Sequence, residues 1–497
     1  MAAGKDIDVT QQCRTMVDRG FGDAVFMPKA GLASDFKKFW QRLSPKNVES
    51  SSSPTSGTYP AQELLMQRAR DFFRAEDAKD TTSLVASKTE DIRRFDPLCM
   101  QRVVAICAYG RSGSVLLASY LDGHEDVVTL PHHLGGHIYP FFERYQSLCL
   151  RDKLIAYPFI SIDSFEGFFD GETPVAATDY YAAVNALFEV FGNWPTEILE
   201  TRRAFVQLLH VVYCVAHGLR PKTPNPLIVY VQLVVDDALA KRLLDDFPQA
   251  RFIHTVRDPI TNFGRYFTQT LKLRGIMAAG YVTSHLTFAD RPHAGMESRT
   301  MPLRFEDMHL HLEETMRALA DWLGLAYRSS LLYSTFNGVP LVAGQGAAKW
   351  SGARPEQAVR DSRNVSFTDR CILYSVLNED FVAWSYPCPR IFRYSLVRIL
   401  ACTLCLLMPM KIEINAARTL VESYKSEGLR VAIKKLSRIC ICRVAIMLVL
   451  AAELYRRLVF GKQVLAFGNA RSGSALANRN ESSSALYSSE TARNSVL

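Results

Sequence analysis

Apolar residues recur along the chain in two rhythms. Short, mainly apolar runs at 102–108 (RVVAICA) and 226–235 (PLIVYVQLVV), and the β-branched stretch 251–256 (RFIHTV), read as buried strands. The segments 115–123, 198–218, 238–247, 259–273 and 311–323 instead carry apolar positions at helical spacing. A short strand over 126–130 follows the first of those helices. Strand and helix in alternation predict an α/β domain, a central parallel sheet flanked by helices on both faces.

Outside that block the pattern changes. Residues 61–80 have the spacing of a charged amphipathic helix, and 44–60 (SPKNVESSSSPTSGTYP) read as a Ser/Pro-rich linker. The apolar runs 399–410 and 444–452 are flanked by basic residues and fall short of the roughly 18 apolar residues of a spanning helix. Residues 463–497 are Ser/Ala/Asn-rich and predict disorder. The expected organisation is therefore an N-terminal helical region with its linker (1–100), the α/β domain (101–388), basic amphipathic helices (389–462) and a tail (463–497).

Charge sharpens the third boundary. The 497-residue chain carries +8, while 389–462 alone holds 14 Lys and Arg against 4 Asp and Glu, a net of +10. The remainder is slightly acidic, so the core is not expected to bind nucleic acid. The basic segment is expected to face a local anionic partner such as a membrane surface. Helices packed on the core are the alternative for the same runs. Among the 11 cysteines Cys402 and Cys405 stand at C-x-x-C spacing, but in an apolar run and with no second such pair or His pair to complete a zinc set, so no metal site and a reducing compartment are expected. The first residues, MAAGKDIDVTQQ, have no apolar signal region, so the expectation is a cytoplasmic protein held peripherally on a membrane.

The candidate chemistry sits between the first strand and its helix. Gly110, Arg111, Ser112, Gly113, Ser114 and Val115 form a Gly/Ser turn opening a helix. Free N–H groups at a helix start, aligned with its dipole, favour an anion. Ser112 and Ser114 add hydroxyl donors, and Arg111 adds a planar fork of N–H donors. A nucleoside-triphosphate loop needs G-x-x-x-x-G-K-[ST], and here Ala108 and Ser114 occupy the first Gly and the Lys positions. A magnesium-dependent kinase or ATPase is disfavoured on that ground.

The stretch GRSGSVLLASYLDGHEDV resembles the 5′-phosphosulfate loop of the PAPS-dependent sulfotransferase family, commonly P-R-S-G-T-T-L-L…L-x-x-H-P (PAPS is 3′-phosphoadenosine 5′-phosphosulfate). Gly110 stands where Pro is usual, and Val115 where Thr is common. Residues 247–259 (FPQARFIHTVRDP) resemble the family's second signature, which implies that Arg257 binds the donor's 3′-phosphate. Arg265 stands where that signature has Ser, and can serve as a second cation. Leu303–Met308 (LRFEDM), with Trp322-Leu323-Gly324-Leu325, is similar to a third block, Phe305 replacing Tyr. The resemblance spans roughly 101–326 and implies a P-loop-like phosphosulfate loop on the sheet. A late basic donor loop of the family corresponds to Lys349-Trp350-Ser351-Gly352 or has no counterpart, since a solvated loop fits that stretch equally.

The resemblance implies in-line sulfuryl transfer without a metal, with Arg111 stabilising charge on the bridging and sulfuryl oxygens and the backbone of 112–115 holding the 5′-phosphate. A general base near neutral pKa takes the acceptor's proton, and His suits that role. His132 is the first candidate and His133 the second, with His137 in the same cluster; lining the acceptor pocket is the other role open to them. The acceptor is a hydroxyl or amine, carbohydrate or lipid-linked, bound by loops expected in 134–200 and 274–300. The alternatives are a non-catalytic membrane-associated binding protein on the same fold, and another nucleotide-dependent transferase.

Overall fold

In the computed structural model, the described residues are 60–77, 81–108, 112–130, 135–160, 165, 168–169, 174–232, 237–264, 296–341, 352–359, 365–408 and 410–433. Positions 436, 447, 450, 451, 454, 455 and 457–459 complete them. Five strands, β1 (Val103–Ala108), β2 (Val127–Thr129), β3 (Leu227–Gln232), β4 (Arg251–Val256) and β5 (Thr300–Arg304), pair in parallel in the order β2-β3-β1-β4-β5. The helices that matter below are α1 (Gln62–Asp77), α2 (Thr82–Ile92), α3 (Ser114–Asp122), α4 (Gly135–Arg144), α5 (Leu150–Ala156), α6 (Ala177–Phe191), α7 (Arg202–Ala216) and α8 (Asp237–Asp246). They continue with α9 (Leu312–Leu323), α10 (Phe367–Val376), α11 (Asn378–Ala383), α12 (Ser395–Leu407) and α13 (Lys411–Glu427).

β1 shows why its run is apolar at every position. Val103, Ala105 and Cys107 face a core shared with α1, α2 and α4–α8, while Val104 and Ile106 face a second core with α3 and α9. A strand covered on both faces has no polar side to alternate with. The segment 134–200, expected to be loops, is largely helical. Its aromatic residues explain this: Phe141, Tyr157, Phe159, Phe168 and Tyr180 are fully buried among rings from α1 and α7. Burying so much aromatic area favours ordered helices over open loops.

Local chemistry fixes the ends of α3 and α9. His124 accepts the Asp126 N–H at Nδ1 (3.1 Å), so its Nε2 carries the proton and donates to the Ala326 carbonyl at 2.8 Å. The histidine that ends the first motif thus ties the exit of α3 to the exit of α9. Gly324 closes α9 in the left-handed region (φ 68°), and Arg102 donates to the Leu323 and Gly324 carbonyls at 3.1 and 3.0 Å. A cation and a glycine at a helix C-terminus satisfy carbonyls that the helix leaves open.

The basic C-terminal segment shares a core with the α/β domain. Cys402 and Cys405 of α12, Met410, Leu450 and Leu454 pack with α10 and with Val256, Ile260 and Phe263, which follow or end β4. Charged clamps hold it: Arg398 donates to the Ser375 carbonyl (2.7 Å) and both its Nη atoms bond Glu379, and Arg457, fully buried, pairs with Asp380. Among the described residues no helix is long and apolar enough to cross a membrane.

Candidate active site

The sheet order places β1 beside β4, and the chain leaves these two strands in opposite directions, from β1 towards β2 and from β4 towards β5. The crevice outside the carboxyl ends of such a pair is where open α/β sheets bind ligands. The end of β1 lies beside the end of β4, Ala108 opposite Thr255. From those ends issue the Gly/Ser turn and Arg257.

Two contacts tie the turn to β4 and β5. The buried Ser112 hydroxyl and the Thr255 hydroxyl are hydrogen-bonded at 2.9 Å, and Thr255 Oγ1 also donates to the Cys107 carbonyl at 3.3 Å. Gly113 takes φ 94°, and a Cβ built there meets Phe305 Cδ2 at 2.6 Å and Met308 Cε at 2.7 Å. The glycine is needed twice, for its dihedral and for the approach of the ring. Gly113 caps α3, whose first residues are Ser114, buried, and Val115, half-buried. The first N–H groups of a helix lie outside its own hydrogen-bond ladder and so suit an anion.

Arg257 follows β4 and is only 3% exposed. Its guanidinium lies over the Phe305 ring, 3.8 Å from the centroid, and its Nη2 donates to the Gln357 carbonyl at 3.1 Å. The Phe305 ring also meets the His309 ring at 4.4 Å, and His309 Nδ1 accepts the Arg354 N–H at 2.8 Å. Phe305 is therefore a shared floor: Gly113 closes on one part of the ring and Arg257 on another. The short segment 352–359 lies against this floor through Arg354 and Gln357.

A buried acid holds the backbone just after Arg257. Glu306, 1% exposed, accepts the Asp258 N–H at 3.1 Å and the Tyr386 hydroxyl at 2.6 Å. Asp258 in turn accepts from the Thr261 N–H and hydroxyl at 3.2 and 2.7 Å, starting the helical turn 259–264. Burial pushes the Glu306 carboxyl above its ordinary range, although the Tyr386 hydroxyl and Arg304 oppose it. Burial likewise raises Asp307.

Of the residues expected at the site, the structure brings Ser112, Gly113, Ser114, Val115 and Arg257 to one sheet edge. Gly110, Arg111, His132, His133, Arg265 and Lys349 lie outside the described residues. His137 sits half-buried in α4. Among the described residues no cluster of His, Cys, Asp and Glu is arranged to hold a metal ion. The structure adds Thr255, Glu306, Tyr386 and Gln357 to the residues around this crevice. Thr255 had a visible signal, being a hydroxyl inside an otherwise buried strand beside the Gly/Ser turn. Tyr386 and Gln357 had none, because they reach the site from distant parts of the chain.

Residues 104–329 match the family model described as Sulfotransferase family. The match covers a little under half of the chain, including all five strands of the sheet but for Val103 at the start of β1, and it supports a sulfotransferase activity. No curated protein matches the chain. Several solved structures are similar to it. The sulfotransferase domain of the Synechococcus PCC 7002 olefin synthase is 18% identical, with 54% of this chain and 88% of that one covered at a TM-score of 0.32. The sulfotransferase domain from the curacin biosynthetic pathway is 14% identical, with 58% and 99% covered at 0.34. A Mycobacterium avium sulfotransferase is 15% identical, with 62% and 87% covered at 0.28.

Proposed function

We propose that the chain transfers a sulfuryl group from PAPS to a hydroxyl-bearing acceptor, by in-line displacement at the β1–β4 crevice. The observation that carries this reading is the Phe305 floor, which joins the anion-binding turn at Gly113 to the buried cation Arg257. One donor with two phosphate groups engages both: the turn and the start of α3 take the 5′-phosphosulfate, and Arg257 takes the 3′-phosphate. The pairing explains why a planar, π-stacked guanidinium stands at 257, where a lysine would give a point charge.

In the step itself the acceptor oxygen bonds to sulfur, and the bond from sulfur to the 5′-phosphate oxygen breaks. The products are a sulfate ester and 3′-phosphoadenosine 5′-phosphate. Arg111 stabilises the charge that develops on the bridging oxygen. His132 receives the acceptor's proton, with His133 as its competitor for that role. Both follow β2, a strand that ends at the same sheet edge as β1. The acceptor is carbohydrate or lipid-linked.

Turnover of PAPS against a panel of hydroxyl acceptors tests the assignment. His132→Asn is expected to lower kcat by about 100-fold or more while leaving binding of 3′-phosphoadenosine 5′-phosphate intact. Wild-type turnover by both His132→Asn and His133→Asn would remove the histidine base from the account.

A further inference from the structure

We infer that α12 is an interfacial helix that seats in the headgroup layer of an anionic membrane. This does not rest on the sulfotransferase reading, because it concerns the opposite side of the C-terminal helices from the donor crevice contacts. Residues 395–408 contain one charged residue, Arg398, and it is 4% exposed and turned inward onto Ser375 and Glu379. Cys402 and Cys405 complete the buried stripe. The outward stripe is mainly apolar: Leu396, Ile399, Leu400, Leu404 and Leu407 are 44% to 73% exposed, with Thr403 the one exposed polar residue among them. That spacing runs along one side of the helix for its whole length.

A soluble protein rarely leaves so continuous an apolar stripe in water. The chemistry at its rim identifies what covers it. Tyr394, 68% exposed, stands at the N-terminal end beside the exposed Arg390 and Arg393. The next helix, α13, exposes Ile414, Val421 and Tyr424 with Arg418 and Lys425 among them. Aromatic and basic residues bordering a short apolar face are the signature of a helix lying in a lipid interface, where cations snorkel to phosphate headgroups. Thirteen residues are too few to span a bilayer but enough to lie in one leaflet's surface. The Arg398–Glu379 clamp holds the helix rigidly, so that its leucines are presented without prior folding.

The full-length chain is floated with vesicles of phosphatidylcholine alone or mixed with phosphatidylserine. The expected result is flotation with the mixed vesicles, weakened by salt. Leu400→Glu with Leu404→Glu should cut binding about tenfold or more. Arg390→Glu with Arg393→Glu, at exposed positions, should do so only for the anionic vesicles. Sedimentation velocity run alongside reports the oligomeric state. A wild-type chain that stays with the soluble fraction, or leucine variants that float like the wild type, would overturn the inference. So would a dimer that Leu400→Glu dissociates, because the stripe would then be covered by a second copy.

Discussion

The guanidinium of Arg257 rests on the ring of Phe305, 3.8 Å from its centroid. Such a contact contributes roughly 0.5–2 kcal/mol, which is about 2- to 30-fold in an affinity that depends on the arginine's position. Phe305→Leu should weaken calorimetric binding of 3′-phosphoadenosine 5′-phosphate within that range. Phe305→Tyr keeps the ring and should bind like the wild type. Equal binding by the leucine variant would show that the ring does not position Arg257.

The same ring meets the turn from the other side. Gly113→Ala places a methyl group 2.6 Å from Phe305 Cδ2 at a φ of 94°. The dihedral costs about 1–2 kcal/mol and the overlap about 1–3 kcal/mol. Urea unfolding should show a loss of that combined order, accompanied by weaker donor-product binding. A variant as stable as the wild type would mean that the turn does not need its glycine.

Acid should destabilise the fold through α7. His210 is 1% exposed, its Nδ1 is 2.7 Å from the Val206 carbonyl, and burial lowers its pKa to about 4. The folded value lies below the unfolded one, near 6.5, so the unfolded chain takes up the proton first as pH falls. Stability is full above about pH 6.5 and is lost towards pH 4, by about 3 kcal/mol for this group. His217, also lowered to about 4 by burial, acts in the same direction. Glu306 acts oppositely: its raised pKa makes its contribution greatest in acid and lost as pH rises through the folded value. The urea midpoint should therefore fall less between pH 7 and pH 5 in His210→Gln than in the wild type. An unchanged slope would contradict the assignment.

The C-terminal helices depend on a buried ion pair. Arg457 and Asp380 are both almost wholly buried and bonded to one another. Removing one partner strands the other's charge, at a cost of roughly 3–5 kcal/mol. Arg457→Met alone should destabilise by that amount in denaturant titration. Arg457→Met with Asp380→Leu should lose less than the two single changes combined. Additive losses would mean that the two charges are not coupled.

β1 was legible because it is buried on both faces, which leaves an unbroken apolar run of the right length. β4 was expected over 251–256 and is found over the same residues, although Arg251, His254 and Thr255 interrupt its apolar character. β5 was hidden because Thr300, Pro302 and Arg304 interrupt its apolar character at the sheet edge. The helices within 134–200 were hidden because aromatic burial by distant elements orders them, and local periodicity does not record that. At the candidate site, Gly113 and Arg257 carried their meaning in local spacing. Phe305 could be named from its motif, but its place between them arises only when β5 pairs with β4. For the basic C-terminal segment, composition left an anionic partner and packing on the core both open, and the structure shows which stripe of α12 is turned to the core.

Calorimetry tests most directly whether one crevice binds a donor bearing two phosphate groups. Wild-type protein and Arg257→Ala are titrated with 3′-phosphoadenosine 5′-phosphate in the presence of a magnesium chelator. The account predicts binding by the wild type without magnesium and a loss of about 100-fold in the variant, as expected for a buried, charge-assisted phosphate contact. A folded wild-type protein that does not bind, or a variant that binds equally well, would contradict it.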